Sequence, residues 1–330
     1  MDGLVNSGHD VMVLHRGDHE PTDLGGGGGG AISHLHCDRA DLPNFAPEIA
    51  GFHPDAAIEV SAMNGAQADS ALSALPAGIR LLAISSCDVY RAYGSLHSDT
   101  QTDVVPIEET AAVRENLFVD GPEYENLEVE ERYLAKGAVI LRLVAIYGPH
   151  DYQRRQDFIL RRIRAKRTKI PFGTGNFLFS RCYVEDVALA ARLAIEAYPS
   201  GEVFNVAERS TFTTRLLAEK IIEASGAGPS VELVTVPDSK LPRDLRITSA
   251  VGQHLLIDST KIREVLGWTE TNQQSALART IAWDLENPPG DEYLAGAWAG
   301  YNIDMNDFSA DDEALAAATS TTTSSEEDHE

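Results

Sequence analysis

A chain of 330 residues is long enough to bury a large core, and its apolar fraction of 43% is that of a globular protein. The formal charge of −24 sets the chain as a whole against nucleic acid and anionic membrane, and the lack of any apolar run of about 18 residues excludes a membrane-spanning helix. Met1 to Arg16 mixes Asp2, His9, Asp10 and His15 with few apolar residues, unlike a secretion signal, and the three cysteines Cys37, Cys87 and Cys182 form no C-x-x-C pair, which points to a reducing cytoplasm.

Met1 to Ser7 reads as the last turns of a helix, since Asn6-Ser7-Gly8-His9 places glycine where a left-handed cap is wanted. Val11 to Leu14 follows as a short β-branched strand, and further strands are expected at Ile32–Cys37, Ala56–Val60, Arg80–Ser85 and Ala138–Leu143. Strands alternating with helical crossovers imply a Rossmann-type, doubly wound parallel α/β sheet. Beyond Pro149, helices are expected at Asp157–Arg167, Tyr183–Tyr198, Thr213–Ala224, Thr260–Leu266 and Gln273–Glu286, with a strand at Gly201–Val206. Residues 1–148 are expected to form a nucleotide-binding domain to which strands near 177–206 return. Residues 149–176 and 207–290 are expected to form a smaller α+β substrate domain, and 291–330 an acidic tail. From Asp304 onward there are nine acids and no Lys or Arg, a composition expected to stay disordered.

Seven segments, in order, resemble the extended short-chain dehydrogenase/reductases, the NAD-dependent epimerase/dehydratase family. They are Gly8-His9-Asp10-Val11 through His15-Arg16-Gly17, Cys37-Asp38-Arg39-Ala40-Asp41, Ile84-Ser85-Ser86-Cys87-Asp88-Val89-Tyr90, Leu141-Arg142 through Ile146-Tyr147-Gly148-Pro149, Tyr183-Val184-Glu185-Asp186-Val187-Ala188, Phe204-Asn205-Val206 and Leu266-Gly267-Trp268. The family opens with a strand, a G-x-x-G-x-x-G turn and a helix, and this sequence begins after that point. In a sheet ordered 3-2-1-4-5-6 that strand is central and its loop holds the pyrophosphate. The expectation is therefore an N-terminal truncation at an internal methionine.

The resemblance implies NAD(P) as cofactor. Arg16, at the end of the second family strand, favours NADP over NAD, though it also suits a solvated strand end. Asp38 falls where an adenine-contacting carboxylate is placed, although Asp38 or Asp41 could serve only as a helix cap. Ser61, Ala62 and Val144 complete the cofactor side, the small residues allowing close backbone approach. For catalysis the family uses a Ser or Thr, which is Ser86 here, and a Tyr four residues before a Lys. Tyr124 is the candidate tyrosine, but Glu128 stands where the lysine is expected. At i,i+4 on a helix that carboxylate would raise the phenol's pKa, against the needs of a base. A second register puts Pro122 and Asn126 at the two positions, and Lys136 lies about 18 Å too far along the helix. Neither register keeps the dyad, and Tyr124 also suits an ordinary half-buried helix residue.

Sugar-nucleotide epimerases place an arginine where this sequence has Phe179. Arg181, on the same strand face, is the substitute candidate for the substrate, with a plain surface residue as its alternative. Arg154, Arg155, Arg161, Arg162, Arg164, Lys166, Arg167 and Lys169 form a basic cluster, read first as the solvated face of an amphipathic helix. Its functional alternative is an anion site for a nucleotide diphosphate or RNA, since the family includes chloroplast stem-loop-binding members. Gly25 to Gly30 reads as a flexible loop. His34, His36, Cys37 and Asp38 lack a second ligand cluster, so no metal is expected. Two functions stay open: an epimerase/dehydratase-like oxidoreductase acting on a nucleotide sugar or similar hydroxylated molecule, or a catalytically degenerate module binding nucleotide, RNA or protein. The resemblance also implies a homodimer.

Overall fold

The apolar runs become parallel strands joined by helices that cross over the sheet. Helix α1 (Asp2–Asn6) leads into β1 (Val11–His15), followed by β2 (Ile32–His36), α2 (Ala46–Gly51), β3 (Ala56–Glu59) and α3 (Gly65–Ala74). Then come β4 (Arg80–Ser86), α4 (Asn126–Leu134), β5 (Val139–Leu143), β6 (Ala145–Tyr147), α5 (Asp157–Arg164) and β7 (Lys169–Phe172). The chain continues through β8 (Arg181–Tyr183), α6 (Val184–Ala197), β9 (Val203–Val206), α7 (Thr214–Ala224) and β10 (Glu232–Thr235). It closes with α8 (Thr260–Leu266), α9 (Gln273–Glu286) and α10 (Ser309–Glu326). A computed structural model describes residues 1–17, 30–98, 103–116, 124–290 and 304–326; Gly25 to Gly29 and Pro122 lie outside the described residues.

The main sheet runs β3-β4-β5-β9, all parallel. Every residue of β5 is buried, as expected of a strand with neighbours on both edges and helices on both faces. Helix α6 packs on this sheet through Ala190 and Ala194, both fully buried, whose small side chains permit close approach. Gly267, at φ +65°, ends α8 in the left-handed conformation and delivers Trp268 into the core, where its indole N–H donates to Asp186 O (2.9 Å).

Strands β1 and β2 form a separate parallel pair, and among the described residues β1 and β3 each carry a ladder on one side only. The two sheets are tied by Glu59 at the end of β3. Its Oε1 accepts from Arg39 Nη1 (3.0 Å), Ser61 N (2.8 Å) and Ala62 N (2.9 Å), and its Oε2 from Arg39 Nη2 (2.5 Å) and Tyr133 Oη (3.2 Å). A carboxylate with that many donors is a strong, directional clasp.

The second core contains Phe158, Ile159 and Leu160 of α5, Ile170 and Phe172 of β7, Leu217 and Ile221 of α7, and Leu277 and Ile281 of α9. Each large side chain buried there contributes about 1.5–3 kcal/mol. Two expectations fail at this core. The chain beyond Asp304 is not all disordered: α10 packs here, with Met305, Asp311 and Ala314 buried. Nor is the polar side of α5 solvated. Arg162 is 0% exposed and forks onto Asp244 and Asp311 with bonds of 2.6–3.2 Å, while Arg161 bonds Asp244 (2.8 Å) and Met305 O (3.0 Å). Arg154, Arg155, Arg164, Arg167 and Lys169 also carry carboxylate partners. Arg161 and Arg162 are thus spent inside the molecule, on carboxylates from distant sequence, while Arg155 and Arg164 pair with nearby Asp151 and Asp157 and Lys169 stays largely exposed.

Candidate functional site

In open parallel sheets, ligands sit beyond the carboxyl ends of the strands. At that rim β4 ends in Ser86, whose Oγ accepts from Asp88 N (3.2 Å) and shapes the short turn Cys87–Val89. Asp88 Oδ2 in turn accepts from the Tyr124 hydroxyl (2.5 Å), and Asn126 Nδ2 donates to the same hydroxyl (2.7 Å). Arg114, 3% exposed, holds this turn by donating to Asp88 O (3.2 Å) and forking onto Glu125 (2.7 and 2.8 Å). Glu125 also caps α4 through Leu127 N (3.0 Å), so the backbone that follows Tyr124 is held in place.

Burial pushes the Asp88 carboxyl up, against the Tyr124 hydrogen bond and the nearby Arg114 charge, and leaves Oδ1 buried without a partner. Burial also pushes the Tyr124 phenol up, with the Asp88 charge adding to it. Tyr124 therefore stays protonated at neutral pH. The direction is the one expected from sequence, but the cause differs. Tyr124 precedes α4 and does not share a helical face with Glu128, whose carboxylate accepts from Gly65 N (2.9 Å) at the start of α3. Asp88 is the charge that matters, and Asn126 is a neutral donor where a cation was sought.

On the other side of the rim, Asp38 is exposed and caps the turn after β2 by accepting from Ala40 N (2.9 Å). Ser61 accepts from Arg39 Nη1 (2.7 Å), Ala62 is buried beside it, and Arg16 lies exposed just past β1. Val144 is buried between β5 and β6. The structure thus joins Ser86 and Tyr124 through Asp88, and Ser61 to the Asp38 turn through Arg39, while Arg181 lies in a different cluster.

Arg181 is not a plain surface residue. It lines a cavity of about 10 Å³ with Tyr147, Glu208, Gln273 and the apolar Phe212, Leu217 and Leu277. Its Nη1 is buried without a hydrogen-bond partner, and burial lowers the guanidinium pKa to about 10. Glu208, just beyond β9, is 3% exposed and accepts from Tyr147 Oη (2.6 Å) and Gln273 Nε2 (2.7 Å); burial raises its carboxyl to about 7. Asp88 lies in the segment Ile84 to Tyr90 that carries the resemblance, but nothing there marks it as a partner of Tyr124, and no motif marks Arg114 or Glu208. Gly148, at φ +148°, admits Val184, whose Cγ1 lies 2.5 Å from where a Cβ would stand. Among the described residues no group of three His, Cys, Asp or Glu is placed to hold a metal ion, and no helix is long and apolar enough to cross a membrane. His15 Nε2 and His34 Nδ1 lie 2.8 Å apart.

Residues 71–207 match the model of the NAD dependent epimerase/dehydratase family. The fold is that of the epimerase/dehydratases. Among solved members of this fold, UDP-glucose 4-epimerase from Thermotoga maritima, with UDP-glucose, superposes at a TM-score of 0.63 with 17% identity, covering 87% of this chain and 94% of that one. The UDP-glucose 4-epimerase from Stenotrophomonas maltophila, with bound NAD and formylated UDP-arabinopyranose, gives 0.65 at 17% identity over 86% and 93%. The chloroplast stem-loop binding protein of 41 kDa b from Arabidopsis thaliana is 24% identical over 95% of this chain and 79% of its own length.

Proposed function

We propose that this chain is an NAD(P)-dependent enzyme of the epimerase/dehydratase type acting on a nucleotide sugar, with Asp88 standing in for the family's lysine as the proton partner of tyrosine. The observation that carries this reading is the 2.5 Å bond from the Tyr124 hydroxyl to Asp88 Oδ2 beside Ser86. A lysine helps by lowering the phenol's pKa so that phenolate acts as base. A carboxylate does the opposite and supports a relay instead: as a substrate hydroxyl passes its proton to Tyr124 Oη, the phenol passes its own to Asp88, and phenolate never accumulates. Asp88, pushed up by burial, is suited to take that proton. Ser86 then orients the substrate oxygen.

The residues of the rim suit the two ends of the cofactor. Small, buried Ala62 and the Asp38 turn lie on the adenosine side, where Arg16 supports NADP over NAD, and buried Val144 lies toward Ser86. When bound, NAD(P) supplies reversible hydride acceptance. The Arabidopsis relative's name keeps an RNA-binding module as the second reading, but the arginines of the α5 cluster are engaged with carboxylates, which argues against RNA there.

The test combines cofactor titration with relay variants. NADPH and NADH are titrated by fluorescence, and UDP-sugars are then assayed for turnover. Asp88→Asn and Tyr124→Phe are each expected to lower kcat by about 10²–10⁴-fold with cofactor affinity unchanged. Binding without turnover of any nucleotide sugar leaves only the module, and absence of dinucleotide binding removes the enzymatic reading altogether.

A further inference from the structure

We propose that His15, His34 and His36 form a proton-operated catch at the carboxyl ends of β1 and β2, which holds the Arg16–Gly17 turn while the imidazoles are neutral and releases it when one takes a proton. The parallel register makes the cluster. Val13 pairs with His34 and His15 with His36, so residues two apart on each strand put all three rings on one face of the pair. The His15 ring meets the His36 ring edge-on at 4.8 Å between centroids and the His34 ring at 5.0 Å, while His34 and His36 lie 6.5 Å apart.

The hydrogen bonds assign the protons of two of these rings. Gly17 N can only donate, and it does so to His15 Nδ1 (3.1 Å), so that nitrogen carries no proton. A neutral His15 therefore holds its proton on Nε2, which lies 2.8 Å from His34 Nδ1 and donates to it. His34 Nδ1 is thus an acceptor, and the proton of that ring sits on Nε2. An added proton has nowhere to go without breaking a link. On His15 it must land on Nδ1, opposite the Gly17 amide; on His34 it must land on Nδ1, opposite the His15 donor. Protonation of His15 is the milder event, since the cation strengthens its bond to His34 while Gly17 is set free. A second proton faces a like charge across that same short contact and parts the pair as well.

The neighbouring charges leave the decision to the imidazoles. Arg16 follows His15 directly and opposes a further cation, while Asp38, two residues past His36, has its Oδ1 committed to Ala40 N (2.9 Å). Asp10, at the opposite end of β1, accepts from Ala31 N (2.8 Å), and Arg39 is forked onto Glu59. Imidazole is the side chain suited to such a catch, because its charge changes within about pH 5 to 8. The strand pair itself survives the release: Cys37 N donates to His15 O (3.0 Å), a backbone bond that no proton touches. Motion is thereby confined to Arg16 and Gly17, and Gly17, at φ +88°, has the conformational freedom to let the turn open without strain. The catch governs how Arg16 is presented at the rim.

The experiment is NMR on the isotope-labelled full chain, without any ligand, from about pH 5 to about 8.5. Long-range imidazole spectra are expected to show His15 and His34 in the Nε2–H tautomer at the alkaline end. The Gly17 amide is expected to lose roughly fivefold in exchange protection at the acid end, the weight of about one hydrogen bond, while the Cys37 amide keeps its own. His15→Asn supplies an oxygen that can accept from the amide two residues on but does not titrate, so its Gly17 protection should be the same at both ends. His34→Gln identifies the His34 signals. An Nδ1–H tautomer on either ring, or Gly17 protection that ignores pH, overturns the proposal from the wild type alone. So does a Cys37 amide that opens together with Gly17, since the whole strand pair would then be unravelling. Acid loss of protection that persists in a folded His15→Asn protein overturns it too, because something other than the imidazole would be opening the turn. With no dinucleotide present, the outcome stands apart from the enzymatic reading.

Discussion

Arg162 is fully buried and Arg181 buries the Nη1 end of its guanidinium, and their surroundings treat them in opposite ways. Arg162, in the middle of α5, donates to Phe158 O (2.7 Å), to both oxygens of Asp244 and to both oxygens of Asp311. Arg181, at the mouth of β8, keeps one buried nitrogen with no acceptor although Glu208 lines the same cavity. The first arrangement satisfies every strong donor and ties three distant segments together, so it belongs to the architecture. The second leaves a cost standing in the ligand-free protein, as expected where the missing acceptor arrives with a ligand.

The largest effect should come from breaking the satisfied arginine. Asp311→Asn removes one of the two carboxylates of Arg162 and leaves that guanidinium under-compensated in the interior. A loss of about 3–5 kcal/mol is expected in urea unfolding. Asp312→Asn is the control: Asp312 pairs with Arg167 but its side chain is 62% exposed, and its loss should be within about 1 kcal/mol. Equal effects for the two variants would show that α10 is held by something other than the buried fork.

The next effect is a pH dependence that sharpens the same contrast. Burial, with the neighbouring Asp157 charge, raises Asp284 from 3.8 to about 7, and burial raises Glu208 from 4.5 to about 7. Between about pH 4 and about pH 7 the native state therefore holds protons that the unfolded chain has already released. Stability must fall as pH rises through that window, by something on the order of 3 kcal/mol per group, and level off above it. Chemical denaturation at a series of pH values reads this directly. Asp284→Asn and Glu208→Gln should each flatten the curve, whereas a curve that rises from pH 5 to 7 would contradict both assignments.

Much of the scaffold was legible in the sequence, for identifiable reasons. α8 and α9 run from Thr260 to Leu266 and from Gln273 to Glu286 as expected, each with the apolar periodicity of a helix against a core. β7 and β10 were not read as strands: each is four residues long, and β7 contains Pro171. α10 was missed because counting charge hides position. Asp311 and Ala314, three apart, share a helical face that meets Arg162 and the second core. Arg162 of α5 was expected in solvent because its partners lie 82 and 149 residues away. Ser86 and Tyr124 could be nominated from the resemblance, and Asp88 stands in the same segment as Ser86, but its contact with Tyr124 could not be read there. Its role depends on Tyr124 lying ahead of α4 rather than within it. Glu208 has no local signature at all, since only the pairing of β6 with β8, with Ala145 opposite Arg181 and Tyr147 opposite Tyr183, brings Tyr147 and Arg181 to the cavity that Glu208 also lines.

The smallest expected change is the most discriminating. Arg181→Met keeps much of the side chain's length, suits the apolar Phe212, Leu217 and Leu277 walls, and removes a buried donor that has no acceptor. If the comparison of the two arginines is right, unfolding free energy should stay within about 1 kcal/mol of wild type or rise, because no satisfied interaction is lost. The measurement belongs near pH 6, where Glu208 still holds its proton; at higher pH the variant would also deprive the ionised carboxylate of the cation that offsets it. The matching change Arg162→Met, which strands Asp244 and Asp311, should cost several kcal/mol under the same conditions. A loss above about 2 kcal/mol for Arg181→Met would mean that its guanidinium is structural after all, and the distinction between an arginine built into the fold and one held for a ligand would collapse.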